Sequence, residues 1–368
     1  MSEFHRSRAM EVLEHIQLED VGALLLFPGA NMAYYTGFSI GLSERLAAAV
    51  IPLVGDPYFI VNELEEELRG QEPWFNDTLI WKEEENPVHV LGESLIEIGL
   101  EEGVLGIPEE APWGWVNSLE KHLPNAELVD VSKYLGYVRM LKTDREIELI
   151  EKACNITDEA MEAGFDKLHT GMTERDLQNI MVKGMQERGG GKTFAGVLFG
   201  ERAALPHGGT SDRELKPDEF VLVDMGCTVD GYWSDCTRTV MYGESSNKQK
   251  EIYDTVLAAN RAAFNTIKPG NTCESVDIAA RRVIEEAGYG KYFIHRLGHG
   301  IGLEVHEHPY IVRNNKQKLE SGMIFSDEPG IYIVDEIGVR VEDTVVCTSE
   351  GGRSLTGFPR ELREYPVR

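Results

Sequence analysis

Carboxylates embedded in runs that read as buried β-strand constrain this chain more than any other feature. In Val221-Leu-Val-Asp-Met-Gly-Cys227, Asp224 follows three apolar residues, so it is expected at the end of a buried strand. Asp230-Gly-Tyr-Trp-Ser-Asp-Cys-Thr-Arg-Thr239 comes next, and Asp230-Gly231 is a strong signal for a tight hairpin turn. A hairpin there brings Asp224 and Asp235 onto neighbouring strands, with the register left open because a bulge would shift it. The segment Asp327-Glu-Pro-Gly-Ile-Tyr-Ile-Val-Asp-Glu-Ile-Gly-Val-Arg-Val-Glu342 reads similarly. A hairpin centred on Asp335 sets Glu328 opposite Glu342, and cross-strand partners point to the same face. His295-Arg-Leu-Gly-His-Gly-Ile-Gly-Leu-Glu-Val-His-Glu307 adds His295, His299 and His306, with glycines around His299 that allow backbone to approach a ligand closely.

A bare carboxylate at a buried strand position is unfavourable. Several together repel, and some would have to be protonated. A pair of divalent cations resolves both difficulties: four carboxylates offset two dications, and one histidine completes the set. Mostly oxygen ligands suit Mn²⁺ better than a structural zinc site, and two metals can share bridging carboxylates. Each residue also has a bland reading. An Asp before Gly is usually a turn residue, a Glu before Pro-Gly a solvated one, and a lone His a structural hydrogen-bonder. Two Asp, one His and two Glu in hairpin-compatible pairs favour the metal reading.

The chain has 368 residues, enough for two domains. Its first part alternates short apolar runs, Gly22–Phe27, Ala47–Ile51 and Tyr58–Val61, with helical stretches near 5–16 and 90–99. Such runs suit a sheet buried on both faces, so residues 1–138 are expected to form an α/β domain. Residues 139–368 open with Thr143 and Glu146, a capping-box pair, ahead of Ile147, Ile150, Ala153 and Ala160 at helical spacing. Helices are expected near 144–168, 173–188, 246–268 and 273–287. Each pair is followed by strands, including Phe220–Asp224 and Thr237–Tyr242, then Met323–Phe325, Ile331–Val334 and Val339–Val346. Two helices and then sheet, twice over, predicts an α+β domain with pseudo-twofold symmetry.

Net charge is −27, of which residues 1–140 carry −17. A polyanion repels nucleic acid and anionic lipid, so neither is an expected partner. No apolar run reaches the roughly 18 residues of a membrane span, and the first residues lack a signal-peptide core. The cysteines at 154, 227, 236, 273 and 347 form no CxxC and read as reduced thiols in a cytoplasmic protein. Three motif-like stretches are rejected. Gly191-Lys-Thr193 lacks the earlier glycine of a phosphate loop, since position 186 is Gln186, and it follows a helix. Gly298-His-Gly-Ile-Gly302 has the wrong glycine spacing for a dinucleotide site. In His306-Glu-His-Pro-Tyr310, Tyr310 replaces the second histidine of a zinc-protease helix and Pro309 breaks the helix.

Together these segments resemble the metal-dependent proline peptidases, a family of Xaa-Pro dipeptidases (prolidases) and aminopeptidase P related to methionine aminopeptidase and creatinase. Asn31–Phe38 and Ser43–Leu46 resemble the accessory domain, Arg139–Thr143 with Glu146-Ile147 the junction, and Leu355–Leu362 the end of prolidases. His295 to Glu307 fits the family signature throughout.

The resemblance implies a creatinase-like N-terminal domain and a pita-bread catalytic domain. It also implies two divalent metals, Mn²⁺ foremost, with Co²⁺, Zn²⁺ or Fe²⁺ as alternatives. Asp224 would chelate the first metal, Asp235 and Glu342 would bridge, and His299 and Glu328 would bind the second. His207 and His306 would contact substrate and stabilise the tetrahedral intermediate, Glu328 would shuttle the proton, and His295 with Arg340 would mark the proline-cleaving branch. The implied reaction is hydrolysis of Xaa-Pro dipeptides by a homodimer. The alternatives are aminopeptidase P acting on longer peptides, another reaction on the same scaffold, or a peptide-binding module. One departure is Asp327, where the family usually has an apolar residue; it either perturbs the charge of the site or faces away.

Overall fold

The computed structural model describes residues 2–65, 74 and 77–368. The chain divides into two compact units, Met1–Arg139 and Met140–Arg368.

The first unit contains α1 (Ser2–Ile16), β1 (Val21–Leu26), α2 (Ala30–Thr36), β2 (Ala48–Pro52), β3 (Tyr58–Asn62), β4 (Asp77–Trp81), α3 (Pro87–Glu97), β5 (Val104–Ile107), α4 (Trp113–His122), β6 (Glu127–Asp130) and α5 (Ser132–Met140). Its strands form one sheet in the order β4-β3-β2-β1-β5-β6. β2 lies antiparallel to β1 and β3, whereas the β3–β4, β1–β5 and β5–β6 pairs are parallel. The three apolar runs are β1, β2 and β3. Nearly every residue in them is buried, as strands covered on both faces require.

The second unit opens with α6 (Asp144–Phe165) and α7 (Glu174–Glu187). The Thr143 hydroxyl accepts from Glu146 N and the Glu146 carboxylate from Thr143 N, the expected capping box. Ile150, Ala153 and Ala160 face the core from α6. β7 (Thr193–Phe199), β8 (Glu219–Val229), β9 (Tyr232–Trp233) and β10 (Cys236–Tyr242) follow, and α6 packs on β8.

The pattern then repeats. α8 (Asn247–Thr266) and α9 (Cys273–Glu286) precede β11 (Gly298–Gly300), β12 (Glu307–Ile311), β13 (Ile324–Asp327), β14 (Gly330–Ile333), β15 (Ile337–Arg340), β16 (Asp343–Thr348), β17 (Gly351–Ser354) and β18 (Glu364–Tyr365). One sheet runs β18-β10-β8-β7, with β9 on β8, and another runs β12-β11-β13-β16-β17. The expected strand at 339–346 is in fact two. β15 pairs with β14 in a ladder of its own, and β16 joins the larger sheet. The break falls at Val341-Glu342, where the Glu342 amide instead donates to Thr237 O at 3.0 Å.

Candidate metal centre

The first hairpin turns at Asp230-Gly231, with φ of 47° and 87°. Two positive φ values in a two-residue loop match the twist of the flanking strands. The register is continuous, through Val229↔Tyr232, Thr228↔Trp233, Met225↔Cys236 and Asp224↔Thr237. No bulge intervenes. Asp224 does not end its strand as expected; it sits in the middle of β8. β7 pairs along the far edge as far as Thr193↔Cys227 and keeps the chain extended beyond Gly226. Because Asp224 pairs with Thr237, and Asp235 lies two residues from Thr237, all three side chains share one face.

The second hairpin behaves as its spacing predicts. Asp327↔Asp343 and Gly330↔Arg340 belong to one register centred on Asp335, and they bracket Glu328 and Glu342. Asp335 takes the left-handed φ of 61° that the turn demands. Asp327, next to Glu328, projects to the opposite side of the strand. It is fully buried, and neither carboxylate oxygen has a hydrogen-bond partner. Burial, with Asp343 nearby, pushes its carboxyl well above the usual range.

His299 lies on β11, flanked by glycines for a steric reason. A Cβ at Gly298 would stand 1.8 Å from Ser326 O, and one at Gly300 would stand 2.1 Å from His308 O. His299 Nδ1 lies 3.1 Å from Gly300 O, which places the proton on Nδ1 and leaves Nε2 as a lone-pair donor. That Nε2 points at Glu328 Oε1, 3.3 Å away, and at Asp235 Oδ2, 3.7 Å away. Burial, then His306, pulls its pKa down to about 3, so the ring is neutral.

The two hairpins meet at Glu342. Thr237 Oγ1 donates to Glu342 Oε2 at 2.5 Å and accepts from Arg340 Nε at 2.9 Å. Arg340 also reaches Asp224 Oδ2 at 2.5 Å and the Tyr332 hydroxyl at 3.1 Å. His295 Nε2 lies 3.0 Å from that same hydroxyl. Burial, helped by Arg340, takes His295 down to about 4. The His306 ring stands edge-on to His299 at 4.1 Å between centroids. His207 is exposed on the turn after residues 200–204, and burial, with Arg296 nearby, lowers the pKa of His306.

Asp235, His299 and Glu342 are buried, and one ligand atom from each lies within 4.8 Å of the other two. Burial raises Asp235 and Glu342 well above the ordinary carboxylate range, helped at Asp235 by Glu342 and at Glu342 by Glu328, and burial carries Glu328 up to about 7. Asp224 Oδ1 and Asp235 Oδ1 are buried without a hydrogen-bond partner. Orphaned oxygens, crowded carboxylates and a neutral imidazole with a free nitrogen fit a divalent metal.

Sequence reasoning missed the residues that hold these side chains in place. Ser326 Oγ accepts from His299 N at 3.0 Å and donates to Glu328 Oε1 at 3.1 Å. Thr237 and Tyr332 belong to the same class. A hydroxyl one or two residues from an acid in a buried strand was the signal available for Ser326 and Thr237. Nothing local marked Tyr332.

A pseudo-twofold α+β unit whose two hairpins bring carboxylates and a histidine together is the architecture of the pita-bread metallopeptidases. The sequence profile of metallopeptidase family M24 matches residues 148–349, and that of the creatinase/prolidase N-terminal domain matches residues 8–141. The chain is 37% identical over 347 residues to an Xaa-Pro dipeptidase of Lactobacillus helveticus, covering 92% of this chain and 93% of that one. It superposes on the crystal structure of dipeptidase PepE from Mycobacterium ulcerans with a TM-score of 0.94 at 32% identity, covering 100% and 99% of the two chains. A prolidase from Thermococcus sibiricus gives a TM-score of 0.92 at 33% identity, covering 98% and 99%. The chain belongs to metallopeptidase family M24.

Proposed function

We propose that this chain is a dinuclear-metal Xaa-Pro dipeptidase, active as a cytoplasmic homodimer. Residues 1–138 would form the creatinase-like domain and residues 139–368 the catalytic one. The observation that carries the reading is the buried convergence of Asp235, His299 and Glu342. Relatives named Xaa-Pro dipeptidase and prolidase support it. Asp224 would hold the first cation, Asp235 and Glu342 would serve both, and His299 and Glu328 would hold the second. Mn²⁺ is the preferred ion, because oxygen donors outnumber nitrogen.

Cations held there would supply the chemistry of lowering a water's pKa and polarising the scissile carbonyl. Glu328 would take a proton from the attacking water and pass it to the leaving imino nitrogen. His306 and His207 donate hydrogen bonds to the developing oxyanion. His295 and Arg340 hold the substrate end. Arg340 also fixes Asp224 through the ion pair described above.

Hydrolysis of Ala-Pro and Ala-Pro-Ala, compared after Mn²⁺ loading, tests the substrate assignment. Cleavage of Ala-Pro alone is expected. Cleavage of both would move the assignment to aminopeptidase P, and cleavage of neither by a fully loaded enzyme would refute the proposed substrate class.

A further inference from the structure

The first unit carries a second cluster of metal-type donors, which the peptidase reaction does not use. Asn86 Oδ1 accepts from Val88 N and His89 N, and Pro87 opens α3, so His89 falls in the first turn. Leu91 and Leu95 bury the inner face of the helix. His89 and Glu93 therefore point outward, one turn apart on the same side. His122, the last residue of α4, lays its ring against that side. Gly92 makes the approach possible, because a Cβ there would stand 2.0 Å from His122 Cδ2.

The ring nitrogens of His122 face both partners. Its Nδ1 lies 3.4 Å from His89 Nδ1, and its Nε2 lies 3.2 Å from Glu93 Oε1. The two imidazoles meet edge to face, 4.6 Å between centroids. One donor atom from each of the three residues lies within 4.8 Å of the other two. Donors on a tetrahedral zinc stand roughly 3.3 Å apart. The 3.4 and 3.2 Å approaches use different nitrogens of His122. One ring gives a single nitrogen to an ion, so the set of one donor per residue stands within 4.8 Å, and rotations of the His89 and Glu93 side chains would close it to that spacing.

We propose that His89, Glu93 and His122 form a surface site for a borderline divalent cation of the Zn²⁺ class, with water completing its coordination. Two imidazoles and one carboxylate favour Zn²⁺ over Mn²⁺ or Mg²⁺. The net charge of −17 on residues 1–140 concentrates dications near this surface. The site shares no ligand with the catalytic centre.

To test this, protein loaded with Mn²⁺ and freed of excess metal is equilibrated with low-micromolar Zn²⁺, and the zinc per chain is counted by elemental mass spectrometry. Wild type holds one more Zn²⁺ than His89→Ala and one more than His122→Ala. Both variants keep the wild-type turnover and the wild-type unfolding midpoint without added zinc. Equal zinc content in wild type and both variants overturns the proposal, as does a loss confined to one of them.

Discussion

The Thr237 hydroxyl donates to the Glu342 carboxylate at 2.5 Å, and this bond joins the two hairpins that carry the candidate ligands. Thr237 is also the cross-strand partner of Asp224 and an acceptor for Arg340. Thr237→Val keeps the shape and removes the bond. A hydrogen bond to a charged group is worth about 1.5–3 kcal/mol, and outer partners of metal ligands tune affinity roughly 10–100-fold. The variant is expected to stay folded, with Mn²⁺ affinity lowered by about that factor in a titration. Unchanged affinity would remove Thr237 from the account.

Among the described residues, Arg238 is the largest fully buried side chain. It donates to Asp343 Oδ1 at 2.7 Å, to Phe358 O at 2.6 Å and to Pro359 O at 3.1 Å. It thereby ties β10 to β16 and to the C-terminal segment. Arg360 meets the other Asp343 oxygen at 2.5 Å. Burial works against ionised Asp343, but Arg238 and Arg360 outweigh it and hold its carboxyl below the ordinary range. Removing one partner from a buried pair costs about 3–5 kcal/mol. Arg238→Met should lower the stability of the second unit by that order, read from the denaturant midpoint. A midpoint within experimental scatter of wild type would contradict this.

Asp158 on α6 supplies a pH dependence away from the metal centre. Its Oδ2 accepts from Gly357 N at 2.5 Å, while Oδ1 is buried without a hydrogen-bond partner. Burial lifts its pKa from 3.8 to about 6. The folded state therefore binds this proton more tightly than the unfolded chain. The resulting stability is complete below pH 3.8 and is lost as pH rises through 6. Asp158→Asn should flatten that window and stabilise the protein above pH 6 by about 1–2 kcal/mol, allowing for partial exposure. Parallel stability curves for wild type and variant from pH 4 to 8 would show that Asp158 does not titrate there.

Much of this centre is local in origin, and so it is readable from the chain. Asp230-Gly231 demands a two-residue turn, and that turn alone sets Asp224 against Thr237. The interval from Glu328 to Glu342, centred on Asp335, fixes the second pair in the same way. What could not be read is long-range. Asp224 lies mid-strand because β7 pairs beside it, and the run 339–346 divides because Glu342 leaves one ladder to meet Thr237. Tyr332 on β14 joins His295 to Arg340 only once the segment ahead of β11 lies against β14. The rejected stretches follow the same logic. His306-Glu-His-Pro-Tyr310 runs into strand β12 instead of forming a helix, and Gly191-Lys-Thr193 leads from α7 into β7.

Asp235→Asn, measured together with metal content, tests the central claim most directly. The substitution keeps the size of the side chain and removes the charge of a buried carboxylate whose Oδ1 lacks a hydrogen-bond partner. Wild-type protein stripped by chelator should lose Ala-Pro hydrolysis and regain it with Mn²⁺ at two ions per chain. Asp235→Asn, folded by circular dichroism, should bind fewer ions and fall at least about 1000-fold in turnover, or roughly 4 kcal/mol of barrier. Full turnover by a folded Asp235→Asn, or Ala-Pro cleavage by metal-free wild type, would contradict the account.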